Sequence, residues 1–590
     1  MFAWIFRSRV VLPLVGASVA GCGWFGGGSP LESNDTLLRY VPADSPYVIA
    51  MVEAYPNDIA DLYAEQAASV WELARAGIQS GLDEARRLQS ENGAFGNPAE
   101  TAALRELMEA LADTTSAEGL QGLGLNRDST FVFYGFGLLP VLRVTLAEGH
   151  DFAALLDRFD SVIRTAGGPG FATASIAGSE YRYLDADAAR LIVMLGDDEL
   201  AVTVAPASFG EAELQAVLGL ELPAESIAAS GRLKAIADTY GFEPQLISLI
   251  DIERLAETFL GAPNATDAAL FELAGYDAQD LSATCRNEFL DLAGVMPAMV
   301  SGYTELSRRS MTLSWIVELR QDIAAGLATI PVAIPGLGAA TDALMSFGMS
   351  FSIPAVRQFV AARNAALAAD PFACEALQEL SMAGPALGGY LNQPLLPVFD
   401  SLTGFSAAID FGRFDPATSM PDLAETSISA LIATTDAAGI IAMGSMFVPE
   451  IAALDLNNDG QIVELDLPGA FIDPAMNPFD SVYFAATDNA IGIGLGAEAN
   501  VRLAELFDAP MGDASTFFSL SLDLEAYYAI FGDLLEIAPV LDPAGAPPEA
   551  FVAAMQDAMQ AMQAIYTSET IDVRFTERGV EIPTRLEIAQ

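Results

Sequence analysis

Oxygen-bearing side chains recur at short intervals in one stretch of the C-terminal part, with the spacing of a calcium-binding loop. Asp455, Asn457 and Asp459 stand at positions 1, 3 and 5 of such a loop, and a glycine occupies position 6. Gln461 would offer its backbone carbonyl at position 7, and Asp466 stands at position 12. Ca²⁺ takes about six to eight oxygen ligands, which a loop of this kind supplies from one short segment. The spacing therefore predicts a calcium site.

This segment resembles the calcium loops of dockerin-like modules, some of which end in Asp. It departs from their pattern at Val463, which offers no side-chain ligand at position 9, and at Pro468, where the exit helix would begin. Residues 462–467 alternate between apolar and polar types, as a strand does. A simple hairpin turn at 457–460 is therefore the alternative to a metal site.

The first residues of the chain have the features of a secretory signal. Arg7 and Arg9 precede a short apolar run, 10–20, and small residues follow it before Cys22. A membrane helix needs about 20 apolar residues, and this run is shorter. The Val-Ala-Gly-Cys tetrad at 19–22 resembles the lipobox of bacterial lipoproteins. The resemblance implies cleavage before Cys22 and lipidation of its thiol; an ordinary signal peptide that happens to contain a cysteine is the alternative.

The lipobox also implies a location. Gly23 follows the cysteine at the position where enteric lipoproteins of the inner membrane carry a retention Asp. We therefore expect a bacterial envelope protein, held in the outer membrane through a lipid anchor and facing the periplasm.

The charge of the chain limits its partners. Its 590 residues include 79 Asp and Glu against 27 Lys and Arg, which gives a formal net charge of −52. Such a chain repels phosphate backbones, so we expect no nucleic-acid partner. Adaptation to a salty medium would produce the same acidity. The high apolar fraction, 52%, supplies ample material for buried cores.

Two cysteines remain after the lipobox, and the periplasm permits them to pair. Cys285 and Cys374 each open an amphipathic pattern typical of a helix. An oxidising compartment favours a disulfide between them, with two free buried thiols as the alternative. We predict the disulfide.

Residues for nucleophilic or zinc catalysis are scarce. His150 is the single histidine, and its neighbour Asp151 does not face it on a helix. The chain has no Gly-x-Ser-x-Gly elbow. One histidine cannot build a histidine-based zinc site. We therefore expect a protein that is not an enzyme.

A strand–Asp–helix unit occurs twice in the chain. The sequences LISLIDIERLAETFL at 246–260 and FSLSLDLEAYYAIFG at 518–532 share it. Asp251 and Asp523 stand where a helix N-cap belongs, and a Glu follows each in the first turn. A matching strand precedes each unit. The pattern predicts a duplicated α+β fold, in which antiparallel sheets pack with helices; chance recurrence of strand–helix pieces is the alternative.

The pattern divides the chain into five segments. They are a signal peptide at 1–21, a tether at 22–36, a first α+β copy at 37–262, a helix-rich middle with two cysteines at 263–400, and a second copy at 401–590.

The folded part opens with a turn and a strand. The Pro-Ala-Asp-Ser-Pro turn at 42–46 resembles the start of an uncharacterised class of secreted bacterial proteins, which brings no activity with it. A strand is predicted at 47–52.

These observations favour a non-catalytic function. We expect an envelope lipoprotein that binds or scaffolds another envelope protein. The first alternative is a carrier or sensor of a lipid-like ligand, because the stretch 327–351 is long and apolar but is broken by Pro331 and Pro335. The second is a hydrolase that relies on carboxylates.

Overall fold

The computed structural model combines helices and strands, and every strand pair with a defined register is antiparallel. This architecture is compatible with the α+β class. It describes residues 31, 36–62, 71–73, 75–77, 106, 110, 114, 116–165, 167–261, 263–276, 281–339, 343–391, 397–412, 422, 425–447, 458–465, 479, 481–541 and 549–589.

The strands are short, as expected for an antiparallel sheet. They are β1 (Tyr47–Met51), β2 (Phe131–Phe136), β3 (Leu139–Thr145), β4 (Ala172–Ile176), β5 (Ser179–Ala186), β6 (Ala189–Leu195), β7 (Glu199–Pro206), β8 (Ile247–Asp251), β9 (Ala298–Leu306), β10 (Ser310–Glu318), β11 (Met345–Ser350), β12 (Leu402–Asp410), β13 (Ser427–Thr434), β14 (Val463–Leu465), β15 (Val482–Ala486), β16 (Ala490–Gly496), β17 (Thr516–Asp523), β18 (Tyr566–Thr576) and β19 (Gly579–Ile588).

The helices lie between these strands. They are α1 (Ala117–Gly122), α2 (Phe152–Thr165), α3 (Glu211–Val217), α4 (Ile227–Ser230), α5 (Arg232–Tyr240), α6 (Ile252–Leu260), α7 (Ala265–Ala274), α8 (Ala283–Ala293), α9 (Gln321–Leu327), α10 (Ile353–Ala369), α11 (Gln378–Leu391), α12 (Ala437–Phe447), α13 (Ala499–Asp508), α14 (Leu524–Leu541) and α15 (Glu549–Gln563). Among the described residues, no helix combines the length and the apolar character needed to cross a membrane.

The chain divides into two compact units, and both are discontinuous in sequence. Unit 1 comprises Met1–Leu281, Ala298–Leu313 and Pro547–Met562, and unit 2 comprises Ser282–Pro297, Ser314–Ala546 and Gln563–Gln590. The segment 263–400, predicted to be helix-rich, contains the strands β9, β10 and β11 as well as helices.

Unit 1 contains an antiparallel sheet in the order β4-β5-β6-β7-β3-β2-β1-β8-β9. The predicted strand at 47–52 is β1, which pairs with β2 on one side and β8 on the other. Its Val48 and Ala50 are fully buried. Met51 packs with Phe131 and Val144 in one core cluster. Because successive side chains point to opposite faces of a sheet, Val48 and Ala50 lie on one face and Met51 on the other, so β1 is buried on both faces.

A buried arginine lies inside unit 1. Arg143 on β3 is 0% exposed, and its guanidinium forms an ion pair with Glu199 on β7. Its Nε donates to the Tyr134 hydroxyl at 3.2 Å, and its Cζ lies 3.9 Å from the centroid of the Tyr40 ring. Burial by itself lowers the pKa of Arg143, but the charges and hydrogen bonds of Tyr134 and Glu199 raise it overall. The guanidinium therefore stays charged in the core.

In unit 2, nine strands pair antiparallel in the order β14-β15-β16-β13-β12-β11-β17-β18-β19. Helix α13 packs directly on β16, where three glycines alternate along one face. A Cβ added at Gly492 would lie 2.6 Å from atoms of Leu503 and Phe507, and one at Gly494 would lie 3.2 Å from the Cβ of Ala499. The glycines thus allow close packing of a helix, as the alternation in the sequence suggests.

The apolar stretch 327–351 contributes to the core of unit 2. Ile334 and Leu337 are buried together with Ala433 of β13. Ala343 joins another core cluster that includes Leu431. The described residues of this stretch therefore pack against the sheet.

Candidate functional site

The structure joins Cys285 and Cys374 in a disulfide within unit 2, which confirms the predicted pairing. A carboxylate supports the same junction. Glu288 of α8 accepts hydrogen bonds from the backbone N–H groups of Ala373 and Cys374 at 2.7 and 2.8 Å. The Cys374 side chain is 1% exposed. The disulfide therefore holds α8 against the segment before α11 and has a structural role.

The predicted calcium loop is described only in part. Asp455, Asn457 and Asp466 lie outside the described residues. Asp459 accepts a hydrogen bond from the backbone N–H of Gln461 at 3.0 Å. Within the described ranges, no group of three or more His, Cys, Asp or Glu side chains is arranged to hold a metal ion.

The described end of the loop runs into a strand. Asn458 and Gly460 have left-handed backbone conformations, with φ values of 51° and 78°. Asp459 forms an isolated bridge with Thr487, and residues 463–465 then pair with β15 as strand β14. This geometry is that of a turn leading into a strand, the alternative that the sequence pattern leaves open.

The two repeated Asp residues act as helix caps. Asp251 accepts from the N–H of Arg254 at 2.8 Å, and Asp523 accepts from the N–H of Ala526 at 2.9 Å. Asp251 also forms an ion pair with Arg232. Capping satisfies backbone donors that a helix start leaves unpaired, so both side chains have structural partners.

Cys22 and His150 are the remaining candidates from the sequence. Cys22 lies outside the described residues. His150 is described, and its Nε2 lies 3.2 Å from the carbonyl oxygen of Gly196. This contact fixes the ring against the turn before β7 and brings no carboxylate to it.

Asp267 of α7 is a buried carboxyl that the sequence does not reveal. It is 1% exposed, and its Oδ1 accepts from the backbone N–H of Leu138 at 2.7 Å, in the turn between β2 and β3. Burial raises the pKa of Asp267, and the nearby charge of Asp44 raises it further. The side chain joins α7 to the sheet.

A cavity of about 440 Å³ opens on unit 1. Helix α5, the loop that follows it and Glu53, two residues after the end of β1, contribute to its walls. Ala237, Phe242 and Pro244 give it an apolar floor, and Glu53 and Glu243 carry carboxylates into it. The remaining lining residues are Leu31, Lys234, Asp238 and Gly241.

Backbone hydrogen bonds set the geometry of this cavity. The Pro244 carbonyl accepts from the N–H groups of Val52 and Glu53, both at 3.3 Å, and the Glu243 N–H donates to Tyr303 at 2.7 Å. The end of β1 is thereby joined to the loop after α5. The side chain of Phe242 is 6% exposed and stacks on Tyr240 with 5.6 Å between ring centroids. The floor is therefore well supported.

The charges in the cavity are unbalanced. Burial raises the pKa of Glu53, and the negative charge of Glu243 raises it further. Among the residues described, neither carboxylate has an ion-pair or side-chain hydrogen-bond partner. Lys234 is the single lysine of the chain, and its Nζ binds Asp238 one turn along α5 at 2.5 Å.

Sequence reasoning missed this site because its two carboxylates are far apart in the chain. Only the pairing of β1 with β8 and the loop before β8 bring them together. The single lysine was the one visible signal. Comparison of the chain with protein-family models, with curated proteins and with solved structures finds no match.

Proposed function

We propose that this chain is a lipoprotein of the bacterial envelope, anchored through Cys22 in the outer membrane and facing the periplasm. Its role is non-catalytic: it binds or scaffolds another envelope protein. One observation supports the absence of catalysis: the carboxylates that recur in the sequence, Asp251 and Asp523, serve as helix caps. The lipobox-like tetrad supports the anchor.

The use of the apolar stretch favours a scaffold over a carrier. A carrier of a lipid-like ligand would need the stretch 327–351 to line a cavity. Its described residues instead pack in the core of unit 2, around Ile334 and Leu337. A hydrolase that relies on carboxylates would need an acid and a base facing one bond, and the caps do not provide them.

The anchor limits how far unit 1 can stand from the membrane. The first helical turn of the folded part begins at Leu37, fifteen positions after Cys22. Even fully extended, a chain of that length reaches at most about 50 Å. An anchored protein would therefore keep unit 1 close to lipids and to other envelope proteins, and tethering would raise its effective concentration towards them.

Two measurements test this function. Mass spectrometry of the mature N-terminus should find an acylated Cys22, and Cys22→Ser should release the protein from membranes. Crosslinking in cells should then capture one defined envelope protein with the wild type. An unacylated N-terminus would refute the anchor, and a lipid of defined mass bound to the full chain in native mass spectrometry would favour the carrier.

We also propose that the two units arose by duplication. Eight strands of unit 1, β5-β6-β7-β3-β2-β1-β8-β9, have the same spatial and chain order as β14-β15-β16-β13-β12-β11-β17-β18 of unit 2. One helix follows β3 and another follows β13, and Asp251 and Asp523 end the equivalent strands β8 and β17. The counterpart of β1 is β11, which places the start of the second copy inside the segment 263–400. Superposition of the eight strand pairs tests this proposal, and opposite handedness of the connections would refute it.

Calcium binding by the loop 455–466 remains a proposal with its own test. Calcium should raise the melting temperature at constant ionic strength, and Asp459→Ala should abolish the rise. An equal rise with magnesium, or a rise that persists in the variant, would instead indicate screening of the net charge of −52.

A further inference from the structure

The cavity on unit 1 combines apolar lining residues with two carboxylates, Glu53 and Glu243, that have no ion-pair partner among the described residues. Glu53 is half-buried after β1, and Glu243 faces it from the loop before β8. Two carboxylates that share a partly desolvated site repel each other unless a cation lies between them. This repulsion destabilises the empty site, so it favours the binding of a positively charged ligand.

The adjoining helix adds to the negative potential. Helix α5 ends at Tyr240, its C-cap residue Gly241 lines the cavity, and its last turn contains no basic residue. The C-terminal end of a helix carries a partial negative charge from its unpaired carbonyl groups. Lys234 belongs to the first turn, and its ammonium group already binds Asp238. Lys234 is the one basic residue among the described lining residues, and Asp238 partly compensates its charge.

We propose that this cavity binds a small organic cation, with its ammonium or guanidinium group between Glu53 and Glu243 and its aliphatic body against Phe242 and Pro244. The volume of about 440 Å³ suits such a molecule, because pockets for small ligands span roughly 300–1,000 Å³. The apolar floor would contact the methylene groups, and the carboxylates would accept charge-assisted hydrogen bonds.

The same geometry argues against a bare metal ion. Ca²⁺ takes about six to eight oxygen ligands, and Glu53 and Glu243 offer too few. The Pro244 carbonyl, a possible further ligand, already accepts two backbone hydrogen bonds. An ammonium group has only three donors, so two carboxylates and one water satisfy it.

Calorimetric titration of the full chain in detergent tests this inference with 1,5-diaminopentane as the probe. We expect binding that Glu53→Gln weakens about tenfold and Glu243→Gln about threefold, since Glu243 is more exposed. The matched control is Glu180→Gln, an exposed Glu on β5 outside the cavity, which changes net charge by the same amount. Circular dichroism verifies that each variant is folded.

An uncharged ligand and the variant Lys234→Met distinguish binding in this cavity from general attraction to an acidic surface. We expect 1,5-pentanediol, which has the same body without charge, not to bind. We expect Lys234→Met to strengthen binding of the diamine, because it removes a like charge. The proposal is overturned if the diamine does not bind, if the diol binds as tightly as the diamine, or if calcium competes for the site as well as the diamine does. It is also overturned if Glu180→Gln weakens binding as much as Glu53→Gln, or if Lys234→Met weakens binding. The lipid anchor does not enter these measurements, so the inference can fail while the proposed function stands.

Discussion

The buried ion pair of unit 1 allows a quantitative test of the fold. Arg143→Met keeps an unbranched, flexible side chain but removes the guanidinium group and its charge. Glu199, whose side chain is 17% exposed, would then lose the partner that compensates its carboxylate. The Tyr134 hydroxyl would lose a hydrogen-bond donor, and the Tyr40 ring would lose the cation above it. We expect the free energy of unfolding to fall by about 3–5 kcal/mol, the usual effect of leaving one member of a buried pair alone.

The double variant Arg143→Met, Glu199→Leu makes the prediction sharper. Once both charges are gone, no ion is left unpaired in the core, so the double variant should be more stable than Arg143→Met alone. An exposed pair supplies the control: Arg182 binds Asp157 at 2.5 Å, and the Asp157 side chain is 68% exposed. We expect Arg182→Met to lower the stability by less than about 1 kcal/mol.

Urea unfolding followed by far-ultraviolet circular dichroism measures these effects, with the transition of unit 1 identified by its shift in Arg143→Met. The reasoning would be refuted if the effects of Arg143→Met and Glu199→Leu were additive within about 0.5 kcal/mol, since pairs in contact should couple. It would also be refuted if Arg182→Met destabilised the protein as much as Arg143→Met. Either result would mean that the core does not desolvate the guanidinium.

Three further predictions follow from single contacts. Burial raises the pKa of Asp267 in the folded state. The stability that its protonated form contributes is therefore complete below the unfolded pKa and is lost as the pH rises through the folded pKa. Asp267→Asn should remove this loss in melting curves recorded between pH 4 and 7. Gly492→Ala should destabilise unit 2 by about 1–3 kcal/mol in the same urea assay, because the added methyl group overpacks against α13. Gly178 has open space around it and a φ of 86°, so Gly178→Ala should cost only about 1 kcal/mol of backbone strain. Replacing both Cys285 and Cys374 by Ser opens a loop of 89 positions and should lower the unfolding free energy by about 4–5 kcal/mol, and reduction of the wild type should reproduce that loss.

The shared strand order of unit 1 and unit 2 gives β1 and β11 equivalent neighbours. In unit 1, β1 pairs with β2 and β8; in unit 2, β11 pairs with β12 and β17. The cavity lies beside β1, so its acidic walls belong to one unit and are defined by residues of that unit alone.

Local features were predictable because their physical causes lie within a few residues. The caps Asp251 and Asp523 follow from the need of a helix start for acceptors, and the alternation along β1 follows from the pleat of a strand. The alternating glycines of β16 lie where α13 packs closely, which is a usual reason for glycine inside a strand. The pairing of Cys285 with Cys374 needed only the count of cysteines and an oxidising compartment.

Apart from the disulfide, the features that depend on residues far apart in the chain were decided by the tertiary structure. The burial of Asp267 results from the approach of α7 to the turn between β2 and β3, and no local pattern marks it. The approach of Glu53 to Glu243 results from strand pairing and from the hydrogen bonds of the Pro244 carbonyl. The composition gives the number of charged residues, whereas burial and proximity decide which of them repel each other, have shifted pKa values or can bind a ligand.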